Sequence, residues 1–416
     1  MSQSCPTDAL PAPTPGRVDL LIVAAEHSGD EHAARMLREL LAQQPGLRVC
    51  ALGGPRLADA GAQLLRDLTA NSAMGFAVLA KISHYRALIA DIVQWVGRHR
   101  PRAVCFVDSS GLNLRIAEGL CAQGFSVKGG GPTRALYYIS PQIWASRAAR
   151  RFLMSRHLDS LAAIFPFEPA CYSDTRLPVQ FVGHPFVAAD YVAPVAFDPA
   201  GPVLLLPGSR RSVVERVFPV LLEAYRQSGT TREAVVLYPS DEICAVLQAA
   251  HPPANVSLRA IGGRAATPLA AGTETARHGV RALPQPAAAV LTASGTMSMH
   301  CALAGIPGAL TYRTDPLTYW LGRLLVQVEY IGIANLLLDE AMYPEFIQGA
   351  ATAPALAAEL RLCLDDPARR ERTQDQARRL RAMLARPALG TAGDWLARQL
   401  SDHDLCLSSR PRGSSQ

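Results

Sequence analysis

The chain contains no apolar run approaching the roughly 18 residues that a membrane-spanning helix needs, so a protein that is soluble or peripheral at a membrane is expected. It has no C-x-x-C pair. Its nine cysteines are scattered and odd in number, which points to a reducing cytoplasm with most of them packed as small apolar groups. No basic-then-apolar signal pattern opens the chain; residues 1–17 are rich in Pro, Thr and Ser and read as a disordered leader. Charge is scarce too. Charged residues make up 18% against 49% hydrophobic, the balance of a folded chain. The net charge of +6 suits an acidic ligand or an anionic membrane surface and is too small to argue for nucleic acid.

With 416 residues there is room for two domains with separate cores. The most informative stretch is 287–307. Residues 287–291 are an apolar run of strand length, Ser294-Gly295-Thr296 turns the chain, and 297–304 is free of Gly and Pro before Gly305 and Pro307 stop a helix. Such a turn aims unpaired N–H groups and the positive end of a helix dipole into one crevice, which suits a phosphate. Alone, it is as readily a connection that binds nothing. A second turn repeats the plan: strand 203–206, then Gly208-Ser209-Arg210, then a helix over 213–222. Arg210 adds a guanidinium able to pair with a diphosphate. Two such turns favour a nucleotide site.

Strands are expected at 18–25, 48–52, 103–107, 135–139, 161–165 and 179–182, and again at 203–206, 234–238, 287–291 and 308–312, with helical segments between them. The apolar strands suit burial on both faces of a parallel sheet. The pattern predicts an α/β fold of two Rossmann-like, doubly wound domains, with ligands beyond the carboxyl ends of the strands, in a cleft where the domains face each other. The domain limits read as 1–17 leader, 18–186 first domain, 187–202 linker, 203–400 second domain with C-terminal helices, and 401–416 disordered tail. Residues 261–280 read as a loop, and Gly129-Gly130-Gly131 as a surface turn because it precedes a strand. Basic residues among apolar ones over 74–102 (Trp95, Arg98, Arg100, Arg102) and 147–156 (Arg147, Arg150, Arg151, Phe152, Arg156) suit either an anionic leaflet or amphipathic helices packed on the sheet.

Markers in both halves carry a resemblance. They are Ala25-Glu26-His27-Ser28-Gly29-Asp30, Ala73-Met74-Gly75, Tyr138-Ile139-Ser140-Pro141-Gln142-Ile143-Trp144-Ala145, Phe165-Pro166-Phe167-Glu168 and Val182-Gly183-His184-Pro185. The second half adds Leu206-Pro207-Gly208-Ser209-Arg210, Ala293-Ser294-Gly295-Thr296, Tyr312-Arg313, Tyr330-Ile331-Gly332, Asn335-Leu336-Leu337 and Pro344-Glu345-Phe346-Ile347-Gln348. In this order and spacing the chain resembles the lipid-A-disaccharide synthase family, inverting glycosyltransferases of GT-B fold, from about residue 18 to at least 360.

The resemblance implies transfer of 2,3-diacylglucosamine from its UDP derivative to the 6-hydroxyl of 2,3-diacylglucosamine 1-phosphate, giving a β-1,6-linked disaccharide phosphate and UDP. It also implies no metal or other cofactor, work at the cytoplasmic face of the inner membrane, and a homodimer. Inversion in one displacement needs one base for the acceptor hydroxyl. Asp108 ends a strand and matches the family's essential aspartate, with a helix N-cap as its alternative. Glu26 and Asp30 are candidates to orient the acceptor, to act as the base instead, or to cap a helix. Ser28 and Gly29, in the same turn, are candidates to bind substrate. Arg210 and the amides near Gly208, Ser209, Ser294, Gly295 and Thr296 are expected to stabilise the leaving UDP. Asn335 and Gln348 match family positions near the nucleotide and donor sugar. His300 stands where the family has a glutamate that holds the ribose hydroxyls; a neutral histidine accepts one hydrogen bond where a carboxylate accepts two. Val78, Gly111, Val213 and Ala334 also depart from the family pattern. A shell that binds without efficient transfer and a UDP-sugar epimerase are the competing readings.

Overall fold

The computed structural model describes residues 10–14, 16–69, 78–261, 283–314 and 329–408, with 78–84 and 402–408 as backbone only. The Met74-Gly75 marker, the side chain of Val78, most of the 261–280 loop and residues 409–416 of the expected tail lie outside the described residues.

The chain divides into two compact units. In the first, seven strands form one sheet: β1 (Leu20–Ala24), β2 (Val49–Gly53), β3 (Gln63–Asp67), β4 (Ala103–Val107), β5 (Arg134–Tyr138), β6 (Ser160–Ala163) and β7 (Val179–Phe181). Their order is β3-β2-β1-β4-β5-β6-β7 and every pairing is parallel. Every residue of β1 and β4 is buried, as expected for central strands covered on both faces. The helices are α1 (His27–Gln43), α2 (Pro55–Asp59), α3 (Val78–His99), α4 (Ser110–Ala122) and α5 (Arg150–His157). Helix α1 buries Ala33, Ala34, Met36, Leu37 and Leu40, one apolar face at helical spacing.

The second unit holds a six-stranded parallel sheet in the order β11-β10-β9-β13-β14-β15 and a two-stranded pair. Its strands are β8 (Val195–Phe197), β9 (Val203–Leu206), β10 (Ala234–Tyr238), β11 (Val256–Ala260), β12 (Gln285–Ala287), β13 (Ala289–Ala293), β14 (Gly308–Tyr312) and β15 (Glu345–Ile347). The helices are α6 (Arg211–Ser228), α7 (Asp241–Ala249), α8 (Thr296–Ala304), α9 (Ile333–Leu338), α10 (Ala353–Asp365) and α11 (Pro367–Leu384). Helix α6 buries Val214, Val217, Phe218, Leu221, Ala224 and Tyr225 and ends at Gly229, whose φ of +71° is a left-handed cap.

Several sequence expectations change. The chain from Arg386 belongs with the first unit, not the second. Helix α12 (Ala392–Ser408) packs on α1, where Gly393 sits so close to Glu39 that a Cβ would come within 2.3 Å of its side chain. Trp395 is fully buried and donates to Ser160 Oγ at 3.1 Å. Arg102 and Arg134 donate to the carbonyls of Leu400 and Gln399, tying the middle of this helix to the first sheet. The helix continues to Ser408, so the tail is ordered that far. Arg102 is therefore engaged within the unit, and Trp95 is buried and donates to the carbonyl of Pro11; neither faces a leaflet. The leader is not wholly disordered, since Leu10 joins the core and the Ala12 carbonyl accepts from Gln63. Nor is 187–202 a plain linker: β8 lies within it and pairs with β12.

Candidate active site

In an open parallel sheet the crevice forms where the strand order reverses. In the first unit that point lies between β1 and β4, whose ends are in register at Ala24 and Val107. Asp108 follows Val107 directly, and Glu26 stands two positions beyond Ala24. Asp108 and Ser109 both adopt left-handed backbone, φ +50° and +41°, a conformation that costs a non-glycine residue roughly 1–2 kcal/mol. The surrounding structure holds them there. The Asp108 amide donates to the Tyr138 carbonyl at 3.0 Å, and its own carbonyl accepts from the Tyr137 hydroxyl and from Asn113 Nδ2 at 2.8 Å. Asn113 also donates to the Val107 carbonyl. Burial, and next the Asp108 charge, push the Tyr137 phenol well above its ordinary range, so it stays a protonated donor. Residues forced into such backbone concentrate at functional sites. The N-cap position of α4 belongs to Ser109, whose side chain makes no capping bond.

Glu26 is half-buried at the N-cap of α1, with no side-chain cap. Ser28 is half-buried in the first turn, and Gly29 is buried against Ala24 and the Val107 carbonyl, packing helix on sheet. Asp30 is buried. Its carboxylate accepts from the amides of Gly54 (2.8 Å), Arg56 (3.1 Å) and Leu57 (3.2 Å), capping α2 from a neighbouring helix. This geometry supports the cap, the third of the roles expected for Asp30.

The second unit reverses between β9 and β13, in register at Leu206 and Thr292. Both small-residue turns flank that point. Gly208 has φ +110° and Gly295 φ +157°, conformations that suit glycine. Nothing lies within 4 Å of where a Gly295 Cβ would stand. Arg210 occupies the N-cap of α6 and Gly295 that of α8, and neither helix has a side-chain cap. The Val213 and Ser298 amides turn back to the carbonyls of Arg210 and Gly295, which leaves the amides ahead of them as the ones that can meet an anion. Ser209, Arg210, Gly295 and Thr296 are exposed, and Ser294 half-buried.

Three expected nucleotide residues are engaged elsewhere. His300 is buried, 4.0 Å from the Phe186 ring and stacked with Tyr191, whose hydroxyl is hydrogen-bonded to its Nδ1. Asn335 is buried, exchanges hydrogen bonds with the Tyr343 backbone at 2.7 and 3.0 Å, and donates to Glu345. Gln348, at φ +51°, brackets the Thr314 backbone with both ends of its amide. Asn335 and Gln348 therefore shape the loops around β14 and β15.

Two further acids, Glu345 and Glu168, gain defined roles in the structure. Glu345 accepts from the amides of Ile331 and Gly332 ahead of α9. Glu168 is fully buried, accepts from the amides of Ile164 and Phe165 and, at 3.4 Å, from the Trp144 indole, and burial pushes its carboxyl up to about 7. Trp144 meets the Phe165 and Phe167 rings edge-on. The signal for both acids is a carboxylate amid apolar residues in a strand or tight turn, which demands a buried donor.

The sequence profile of the family described as lipid-A-disaccharide synthetase matches residues 20–389. The chain belongs to this family. The lipid-A-disaccharide synthase of Geobacter sulfurreducens is 34% identical over 387 residues, 90% of this chain and 94% of that protein. The synthase of Nitrosococcus oceani is 31% identical over 405 residues, 93% and 98% of the two chains. Membership makes the chain a hexosyltransferase of lipid A biosynthesis, and the competing readings, a shell without efficient transfer and an epimerase, are not favoured. Solved structures agree in fold. The calicheamicin glycosyltransferase CalG4 aligns over 93% of this chain and 98% of its own, with a TM-score of 0.52 at 14% identity. A putative UDP-N-acetylglucosamine 2-epimerase from Listeria monocytogenes aligns over 96% and 98%, with a TM-score of 0.52 at 12% identity. The two Rossmann-like units are those of the GT-B class.

Proposed function

We propose that the chain moves 2,3-diacylglucosamine from its UDP derivative to the 6-hydroxyl of 2,3-diacylglucosamine 1-phosphate, with inversion, and that Asp108 is the base. The acceptor oxygen bonds to the anomeric carbon, the bond from that carbon to the UDP oxygen breaks, and the hydroxyl proton passes to Asp108. The electron pair leaves on the diphosphate. Arg210 and the uncapped amides after β9 and β13 meet that charge as it develops, the kind of stabilisation that needs no reorganisation during the step. Glu26, beside Asp108 at the end of β1, orients the acceptor.

The observation that carries this reading is the strained Asp108–Ser109 turn at the reversal point of the first sheet. The two uncapped glycine turns at the reversal point of the second support the donor half. No helix among the described residues is long and apolar enough to cross a membrane. Contact with the cytoplasmic face of the inner membrane is part of the proposal, supported by the net charge of +6 and by exposed Phe152 under the Arg151 guanidinium. A homodimer is proposed from the family alone.

The test is UDP release in detergent micelles from UDP-diacylglucosamine, with and without the monosaccharide acceptor. Acceptor-dependent release that Asp108→Asn abolishes is expected. Release that is independent of acceptor, or untouched by Asp108→Asn, overturns the assignment. His300→Glu run alongside reports whether the buried histidine limits donor binding.

A further inference from the structure

Arg147 and Arg150 are two neighbouring guanidiniums of the first unit that pair with no carboxylate among the described residues. The next residue shows the contrast. Arg151 closes on Asp174 through hydrogen bonds of 2.8, 3.0 and 2.6 Å. Arg150 instead donates to Ser110 Oγ at 2.9 Å and is half-buried. Burial, and next the Arg147 charge, push its pKa below the ordinary value. A cation that is partly desolvated, repelled by a like charge and without a counter-ion is poorly stabilised until an anion arrives.

The place of this pair is specific. Ser110 opens α4, a helix of 13 residues, two positions beyond Asp108. Ser109 makes no side-chain cap, and its Oγ is buried without a partner. The helix amino end, a hydroxyl and two guanidiniums thus converge beside the proposed base. Forked guanidinium donors with helix amides match a tetrahedral oxyanion.

We propose that Arg150, with Arg147 and Ser110, forms the subsite for the phosphate monoester of the acceptor sugar. The inference rests on the reaction proposed above. One turn of the chain then serves both ends of the acceptor, with Asp108 at the reacting hydroxyl and Arg150 at the phosphate. Arg150 is a specificity-determining residue and takes no part in bond making.

The experiment compares 2,3-diacylglucosamine 1-phosphate with its dephosphorylated counterpart in detergent micelles, by equilibrium binding and by initial rates. The unsubstituted protein is expected to prefer the phosphorylated acceptor by about ten- to a hundredfold, the range of a charge-assisted contact. Arg150→Gln brings that preference to near parity and raises the acceptor KM, leaving the UDP-donor KM in place. Arg150→Lys recovers part of it, and Arg147→Gln loses part. If Arg150→Gln weakens both acceptors equally with the preference intact, the subsite is overturned while the transferase reading stands. If neither acceptor is a substrate but phosphate-dependent binding disappears in Arg150→Gln, the reaction reading fails and the anion subsite stands. Doping the micelles with phosphatidylglycerol tests the other source of phosphate. Displacement of the acceptor by it would assign the pair to the lipid surface and overturn the subsite.

Discussion

The Tyr137 hydroxyl donates to the main-chain carbonyl of Asp108, one strand away from its own position in β5. A buried phenol thereby holds a carboxylate-bearing residue in left-handed backbone. Tyr137→Phe is expected to lower stability by about 1 kcal/mol, the net worth of an ordinary hydrogen bond. It should lower kcat more than either KM, because the turn relaxes before binding fails. Chemical denaturation and steady-state kinetics on one preparation separate the two; a rise in KM with kcat unchanged would contradict the clamp.

Ser109→Gly isolates the backbone strain. Ser109 holds φ +41° and its hydroxyl has no partner, so glycine should raise stability by up to about 1 kcal/mol. A lower urea midpoint at unchanged slope would mean that the serine side chain supports the turn.

Asp30→Asn should act on folding. Three amides share the carboxylate, and an amide side chain has one acceptor oxygen, so at least one donor loses its partner at about 1–3 kcal/mol. The midpoint of thermal unfolding drops, and the pH–rate profile of the surviving enzyme keeps its shape. A shifted acid limb would return Asp30 to the list of proton acceptors.

Glu168 makes stability depend on pH. Its folded carboxyl titrates at about 7, above its ordinary 4.5. The stability tied to its protonated form is complete below 4.5 and is lost as pH rises through about 7. The loss is at most about 3 kcal/mol, from 1.36 kcal/mol per unit. Glu168→Gln should flatten the stability curve across that window. An unchanged slope would place the titration elsewhere.

Arg210→Gln should lower kcat on the order of a hundredfold, as for one lost contact to a developing charge, and weaken UDP binding in calorimetry. Gly295→Ala should weaken UDP through backbone strain and not through a clash, since its Cβ site is open. Retention of full UDP affinity in both variants would move the nucleotide away from these turns.

Much of this protein is determined locally. Apolar runs of strand length, small residues at the two turns and helical periodicity depend on neighbours a few positions apart, so β4, β9, β10 and β14 match their sequence limits residue for residue. The Gly208 and Gly295 turns are legible for the same reason, because backbone conformation there excludes most side chains. Short edge strands such as β3, β8, β12 and β15 carry too few buried residues to stand out. Roles that depend on a distant partner belong to the tertiary structure alone. Asp30 reads as a candidate base until Gly54, Arg56 and Leu57 turn their amides toward it. Asn335 reads as a ligand group until Tyr343 and Glu345 saturate it. His300 meets Phe186 and Tyr191 from a stretch that composition marks as a linker, and α12 returns to the first unit because Arg102, Arg134 and Ser160 offer partners there. A polar side chain goes where its hydrogen bonds can be completed, and that depends on which remote backbone the fold brings beside it.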